Sequence, residues 1–161
     1  MSRYSICIFF VFAVFFTSCK VKKHATTAKK AEKSELRELN IKKDLRKEVS
    51  SWLGAPYKYG GVNKSGVDCS GFVNAIFSEV YEIKLPRTSK DIYKACKHIR
   101  MKDLREGDLV FFNYSGKGVS HVGIYLTDNK YVHASTTKGV VISDLNNEYT
   151  RKKIVGAGRV R

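Results

Sequence analysis

Proline and cysteine are both scarce in this chain, with two prolines and four cysteines among 161 residues. Small secreted scaffolds held by disulfides need a far higher cysteine density, so the count excludes that class. The hydrophobic content of 43% and the aromatic content of 12% are enough for one core, which excludes full disorder. The length excludes a multidomain enzyme and predicts a single domain.

Acidic residues are half as numerous as basic ones, 15 against 30, which gives a net charge of +15. Such a charge is compatible with nucleic-acid binding. However, residues 49–161 spread 18 basic and 10 acidic side chains along the chain, with one short basic cluster at 151–153. No helix-turn-helix, RNA-binding or zinc-finger signature accompanies them, so we expect no nucleic-acid partner.

An apolar run long enough to span a bilayer is also missing, because the run from Ile6 to Phe16 has only 11 residues. With Arg3 before it and small residues after it, this run predicts a signal peptide over residues 1–18. A membrane-anchor helix is the alternative. The sequence ending at Cys19 resembles a bacterial lipobox, although Phe16 stands where leucine is usual. We therefore expect lipidation of Cys19 and anchoring at the cell envelope, at the outer membrane facing the periplasm.

Aromatic residues are absent from residues 20–48, where eleven Lys or Arg and five acids give a net charge of +6. Such a composition cannot bury much apolar surface. We expect residues 19–40 to form a solvated basic tether and residues 41–161 to form the domain. Weak attraction to an anionic leaflet and a purely flexible spacer are equally open interpretations of the tether charge.

Hydrophobic periodicity changes from helical to alternating along the domain. Helices are predicted over 44–53, 69–81 and 89–96, with Ser89 as the N-cap of the third. Strands are predicted over 109–112, 121–126, 131–134, 140–143 and 154–160. Helices followed by antiparallel strands indicate an α+β domain, with about five strands packed on the second helix.

Cys69 stands where a polar loop enters the second predicted helix. The helix dipole and the free N–H groups at this end favour a thiolate and could hold an oxyanion. These features suit a nucleophile. A lone cysteine at the start of an apolar helix is also often a packing residue.

Two histidines lie on predicted neighbouring strands. His121 shares a face with Gly123, whereas the opposite face is uniformly apolar and should be buried. If residues 127–129 form the loop, Gly123 lies opposite His133, and His121 and His133 share the exposed face. A loop of even length would place the two histidines on opposite faces and would split the apolar residues between both faces.

A cysteine at a helix start beside two histidines predicts a nucleophile, a base and an orienting residue, in the order Cys69, His121 and His133. This chemistry needs no cofactor. A zinc site built from the same three side chains is the alternative, but no paired ligand spacing supports it.

Six sequence blocks in order resemble the NlpC-type cell-wall cysteine peptidases. They are APYKYGG at 55–61, DCSGFV at 68–73, LPRTS at 85–89, GDLVFF at 107–112, SHVGIY at 120–125 and VHA at 132–134. The resemblance implies a papain-like fold and cleavage of peptidoglycan stem peptides. It also implies Cys69 as the nucleophile, His121 as the base and His133 as the third polar residue.

The same resemblance implies further site residues. Tyr57 matches a tyrosine beside the nucleophile that assists the oxyanion hole or the substrate, and residues of the substrate groove are implied at Asp68, Ser70, Arg87 and Ser89.

For single-domain lipoproteins of this family, two bonds of peptidoglycan are candidate cleavage sites. We expect cleavage between D-γ-glutamyl and diaminopimelate; the D,D cross-link is the alternative. Two other classes also remain open: a non-catalytic wall-binding protein on the same fold, and an acyltransferase that uses an amine acceptor.

We expect the protein to be a monomer. We expect Cys96 to be a buried structural thiol, with a redox partnership with Cys69 as the alternative.

Overall fold

The computed structural model describes residues 18–160, with side chains described from Thr26 onward. Residues 1–17 of the predicted signal peptide and the side chain of Cys19 lie outside this part. Within the described part, no helix combines the length and the apolar character needed to cross a membrane.

Within residues 18–160, five α-helices and a short 3-10 turn surround the sheets. The helices are α1 (Ser18–Glu38), α2 (Lys43–Trp52), α3 (Cys69–Tyr81), α4 (Ser89–Ala95) and α5 (Glu148–Arg151), and the 3-10 turn covers Met101–Asp103. The N-cap of α4 is Thr88, whose hydroxyl accepts from the amide of Asp91. The prediction of Ser89 as this N-cap is therefore wrong by one residue, since Thr88 has the extended backbone that a cap needs.

In the part of the chain that the structure describes, eight strands form a small hairpin and one six-stranded sheet. The hairpin pairs β1 (Val62–Asn63) with β2 (Gly66–Val67). The large sheet has the antiparallel order β3-β8-β4-β5-β6-β7. Its strands are β3 (Lys97–Ile99), β4 (Leu109–Phe112), β5 (His121–Tyr125), β6 (Lys130–Ser135), β7 (Gly139–Asp144) and β8 (Ile154–Arg159).

The sequence-based α+β class is confirmed, and all five predicted strands are present. The sheet has a sixth strand, β3, which the sequence pattern does not indicate because Ile99 is its only strongly β-forming residue. Helix α3 packs against β5 and β6, with Phe72 and Ile76 fully buried. The main core therefore lies between this helix and one face of the sheet.

The other face of the sheet carries a second, smaller core. Val110, Phe112, Tyr131 and Leu145 are buried there. The expectation that His121 and His133 lie on an exposed face is therefore wrong, since both side chains are more than nine-tenths buried. Aromatic side chains of β4, β6 and the loop after β4 cover this face.

The segment expected to be a solvated tether differs in the structure. It forms α1, and Leu36 near the end of this helix is 1% exposed within the main core. Lys130 on β6 pairs with Glu35 of α1 at 3.1 Å and with Asp144 of β7 at 3.5 Å. Three apolar positions, at residues 36, 39 and 41, thus fix the end of a highly charged segment to the domain.

Candidate active site

Cys69 is the first residue of α3 and lies at the junction of the helix and the sheet. The carboxylate of Asp68 caps the helix by accepting from the amide of Gly71 at 2.7 Å. Cys69 itself is buried, with 8% of its surface exposed. Amide N–H groups of Val122, Ser70 and Cys69 itself surround the sulfur and stabilise its charged form. The sulfur therefore lies against β5, beside the residue that follows His121.

The pKa of the Cys69 thiol is raised rather than lowered. Burial is the main cause and the charge of Asp68 adds to it, while the amide of Val122 acts in the opposite direction. The expected lowering by the helix dipole is therefore outweighed by desolvation. A neutral thiol needs a neighbouring base to become a nucleophile.

The two histidines meet as the register predicted. Tyr125 pairs with Tyr131, and the turn between β5 and β6 spans residues 127–129, with positive φ at Asp128 and Asn129. Nε2 of His121 lies 2.7 Å from Nδ1 of His133. This hydrogen bond leaves Nδ1 of His121 as the nitrogen available to a thiol.

Gly123 makes this approach possible. A Cβ atom at this position would lie 2.7 Å from the ring of Tyr131 and 3.2 Å from Cβ of His133. Any larger residue would push the His133 strand away from His121.

Ser143 on β7 extends the pair into a chain of three polar groups. Its Oγ lies 3.1 Å from Nε2 of His133. If Nδ1 of His121 is to accept a proton, its Nε2 must carry hydrogen and donate to Nδ1 of His133. His133 then carries hydrogen on Nε2 and donates to Ser143. The serine hydroxyl can accept this hydrogen bond, so the chain of three groups is compatible with the tautomer in which His121 acts as a base.

Burial keeps both imidazoles neutral. It lowers the pKa of His121 to about 4. The pKa of His133 falls to about 3, through burial and through the charge of His121. A base that stays unprotonated down to about pH 4 is available throughout the neutral range.

This burial predicts an acid-sensitive fold. Unfolded imidazoles bind protons near pH 6.5, whereas the folded ones do not, so the unfolded state binds more protons between about pH 6.5 and 4. The free energy of unfolding should therefore fall as the pH is lowered through this window, by about 3 kcal/mol for His121 alone. Urea unfolding at a series of pH values measures this slope. The control variant His98→Gln, which removes an exposed histidine, should show the same slope. A free energy of unfolding that does not change with pH in the wild type would contradict the prediction.

Tyr57 lies beside the nucleophile, as expected. It forms a parallel bridge with Val67, two residues before Cys69. Burial raises the pKa of its hydroxyl, and the charges of Cys69 and Asp68 add to the increase. A neutral hydroxyl that senses Cys69 is a hydrogen-bond donor available near the sulfur.

Asp68, Ser70 and Arg87 form one network. The Arg87 guanidinium donates to both carboxylate oxygens of Asp68, at 3.0 and 2.6 Å, and to Oγ of Ser70 at 2.9 Å. Burial opposes ionisation of Asp68, but the hydrogen bonds of Arg87 and Gly71 outweigh it, so its pKa is lowered. Ser89 is buried in the first turn of α4, and within residues 26–160 no hydrogen bond joins it to this network. Of the four predicted groove residues, the structure thus joins three.

A groove of about 440 Å³ opens beside the histidines. Its lining includes Tyr57, His121, His133, Ser143, Tyr149 and Lys138. The sequence patterns do not indicate Ser143, Lys138 or Tyr149 as site residues. Alternation along β7 could have revealed the first, because Ser143 pairs with Tyr131 and shares its face. Nothing in the sequence distinguishes the other two from surface residues.

Comparison with known proteins identifies this arrangement. The NlpC/P60 family pattern matches residues 54–159, which include Cys69, His121 and His133. The chain belongs to the NlpC/P60 family. The resemblance of the six sequence blocks is thereby confirmed, and the chain is a cysteine peptidase of this family.

Two curated NlpC/P60 relatives come from Escherichia coli K12. One is named murein DD-endopeptidase MepS/murein LD-carboxypeptidase and is 40% identical over 125 residues, or 78% of this chain and 66% of the relative. The other, probable endopeptidase NlpC, is 44% identical over 117 residues, or 72% of this chain and 76% of the relative.

Solved NlpC/P60 structures confirm the papain-like fold. A Staphylococcus aureus protein of this family, described as similar to a lipoprotein, has a TM-score of 0.66 and is 32% identical. The match covers 76% of this chain and 44% of that protein.

Among the described residues, no cluster of three or more His, Cys, Asp or Glu side chains has the arrangement of a metal site.

Proposed function

We propose that this chain is a peptidoglycan endopeptidase that cleaves stem peptides through Cys69, His121 and His133. The observation that supports it best is the 2.7 Å hydrogen bond between the two histidines, next to a cysteine at a helix start. The names of the murein endopeptidase relatives support the substrate class.

In the proposed reaction, Nδ1 of His121 takes the thiol proton as the Cys69 sulfur attacks the scissile carbonyl carbon. The new C–S bond forms a tetrahedral oxyanion, which the N–H groups at the start of α3 and the Tyr57 hydroxyl stabilise. The C–N bond then breaks, and the leaving nitrogen takes the proton from His121. Water deprotonated by His121 hydrolyses the thioester and releases the second product.

Two bonds are candidates for this reaction. The resemblance of the sequence favours the bond between D-γ-glutamyl and diaminopimelate. The name of the MepS relative favours the D,D cross-link, together with an L,D-carboxypeptidase activity. Mass spectrometry of fragments from defined, cross-linked muropeptides distinguishes the candidates, because each bond gives products of different mass. Recovery of intact muropeptides after long incubation would contradict the proposed function.

Ser143 offers a test of the proposed proton path. In Ser143→Ala, Nε2 of His133 loses its partner, so His121 is held less firmly in the productive tautomer. We expect kcat to fall about 10-fold, within the range seen for outer-shell partners, while KM changes little. Ser143→Thr should restore much of kcat, because it keeps a hydroxyl at the same position.

A matched control is Ser135→Ala. Ser135 lines the same groove but bonds Thr137 instead of a histidine. Equal losses of kcat in the two alanine variants would show that Ser143 has no special connection with His133.

The anchor belongs to the proposal as well. We propose that Cys19 is lipidated and holds the enzyme at the outer membrane, facing the periplasm. Metabolic labelling with a radioactive fatty acid should mark the wild-type protein and leave Cys19→Ala unlabelled. Equal labelling of both proteins would overturn this part of the proposal.

A further inference from the structure

One side chain alone gives the groove a formal charge. Among the described residues that line it, Lys138 is the only Lys, Arg, Asp or Glu; the others are aromatic, hydroxyl, imidazole or aliphatic groups. Lys138 lies in the turn between β6 and β7, five residues after His133. The turn is held by the amide of Lys138, which donates to Oγ of Ser135 at 3.4 Å, and by Gly139 in a left-handed conformation.

Lys138 is available to bind an anion. It is exposed, and within residues 26–160 none of the ion pairs closer than 4 Å uses it. Glu32 on α1 senses the charge of Lys138 and lines a neighbouring cavity together with it. Burial and the nearby Glu35 weaken the charge on Glu32 by raising its pKa. The positive charge of Lys138 is therefore only partly compensated.

The path of the proton in the proposed reaction indicates which part of the substrate lies near the charge of Lys138. The leaving nitrogen must reach the proton on Nδ1 of His121, so the leaving group lies on the side of Cys69 that His121 occupies. The groove that holds Lys138 extends from this side, because His121 and His133 line it. Substituents on the leaving amino acid therefore extend toward Lys138.

We propose that Lys138 is a specificity residue that binds a free carboxylate on the amino acid released by cleavage. This inference rests on the proposed function. The carboxyl group next to the leaving nitrogen is a free carboxylate when the leaving residue is C-terminal, and also in a D,D cross-link, where diaminopimelate leaves through the amine of its second amino-acid centre. At a D-γ-glutamyl bond, by contrast, the carboxyl group next to the leaving nitrogen is in an amide whenever the stem continues beyond diaminopimelate, and the free carboxylate of diaminopimelate lies at its other end. Lys138 thus favours the cross-link or a terminal residue over the D-γ-glutamyl bond.

The test uses two cross-linked muropeptides that differ in one group. One has the free α-carboxylate on the leaving amino acid, and the other has a carboxamide there. We expect the wild-type chain to prefer the carboxylate by about fivefold in kcat/KM, which is the upper range for an exposed ion pair. In Lys138→Gln the preference should fall to about one, and in Lys138→Glu it should reverse. Higher salt should reduce the wild-type preference.

The control variant is Lys84→Gln, which removes the same charge from a separate cavity. It should keep the preference of the wild type. An equal preference in the wild type and Lys138→Gln, or no preference in the wild type, would overturn the assignment. The substitution is in an exposed turn, so circular dichroism should show an unchanged fold.

A binding measurement separates this inference from the proposed function. Calorimetry with Cys69→Ala measures the affinities of the two muropeptides without turnover. The same measurement on the double variant Cys69→Ala, Lys138→Gln shows how much of the difference in affinity depends on Lys138. If neither muropeptide is cleaved but the carboxylate form binds more tightly through Lys138, the proposed function fails and the binding site stands. If both are cleaved and bind equally, the function stands and the binding site fails.

Discussion

Cys69→Ala is expected to lower the release of fragments from peptidoglycan by at least about 10⁴-fold, since loss of a nucleophile removes the covalent path. Cys69→Ser should be nearly as inactive, because a buried hydroxyl beside a base of such low pKa is a poor nucleophile. Both variants should keep the fold, since the Asp68 cap and the apolar residues of α3 remain. Chromatography of the fragments released from purified sacculi measures the loss.

Cys96 supplies the matched control for this experiment. It is the other free cysteine of the described residues, and burial raises its pKa to about 11. Cys96→Ala should retain activity, and alkylation of the wild type should inactivate the enzyme through Cys69. Activity in Cys69→Ala equal to that of the wild type would exclude thiol catalysis, including acyl transfer to an amine. Binding to sacculi by a wild-type chain that releases no fragments would instead support the wall-binding alternative.

His121→Ala should show the second large effect, a loss of about 10³-fold or more in kcat at neutral pH. The reason is the raised pKa of Cys69, because without His121 the thiol has no base. The residual activity should rise with pH up to about 9 or beyond, as hydroxide forms the thiolate directly. The wild type should instead stay active down to about pH 5, because His121 keeps a pKa of about 4.

Measurement of kcat against pH for both proteins tests this difference. The control is His98→Ala, which removes an exposed histidine stacked on Tyr93 at 4.2 Å. It should have the profile of the wild type. A decline of wild-type activity centred near pH 6.5 would show that His121 titrates like a solvated imidazole and would contradict the burial argument.

The geometry of the histidine pair could be predicted from sequence because the side chains of a strand alternate. Once Val122, Ile124 and Val132 were required to share a core, only a loop of odd length was possible. That constraint placed His133 on the same face as His121 without any knowledge of tertiary structure. What alternation could not predict was the burial of that face, because the aromatic rings around His121, those of Phe112 and Tyr114, come from another segment of the chain.

Three features were beyond the sequence for physical reasons. Helix α1 was missed because the three buried residues that fix its end, Leu36, Leu39 and Ile41, follow a long stretch whose composition is typical of disorder. The pKa of Cys69 was assigned the wrong direction because the helix dipole is a local property, whereas desolvation depends on the whole packing around the sulfur. Ser143 was missed because its role depends on the contact with His133 and not on any motif.

If Cys19 carries the proposed lipid, helix α1 sets how far the groove can reach. Its 21 residues extend about 30 Å at the rise of an α-helix. The ion pair of Glu35 with Lys130 and the burial of Leu36 fix this rod to the edge of the sheet next to β7. If Cys19 is anchored, the groove is held at a set stand-off from the membrane, and only stem peptides at that height and orientation come within reach.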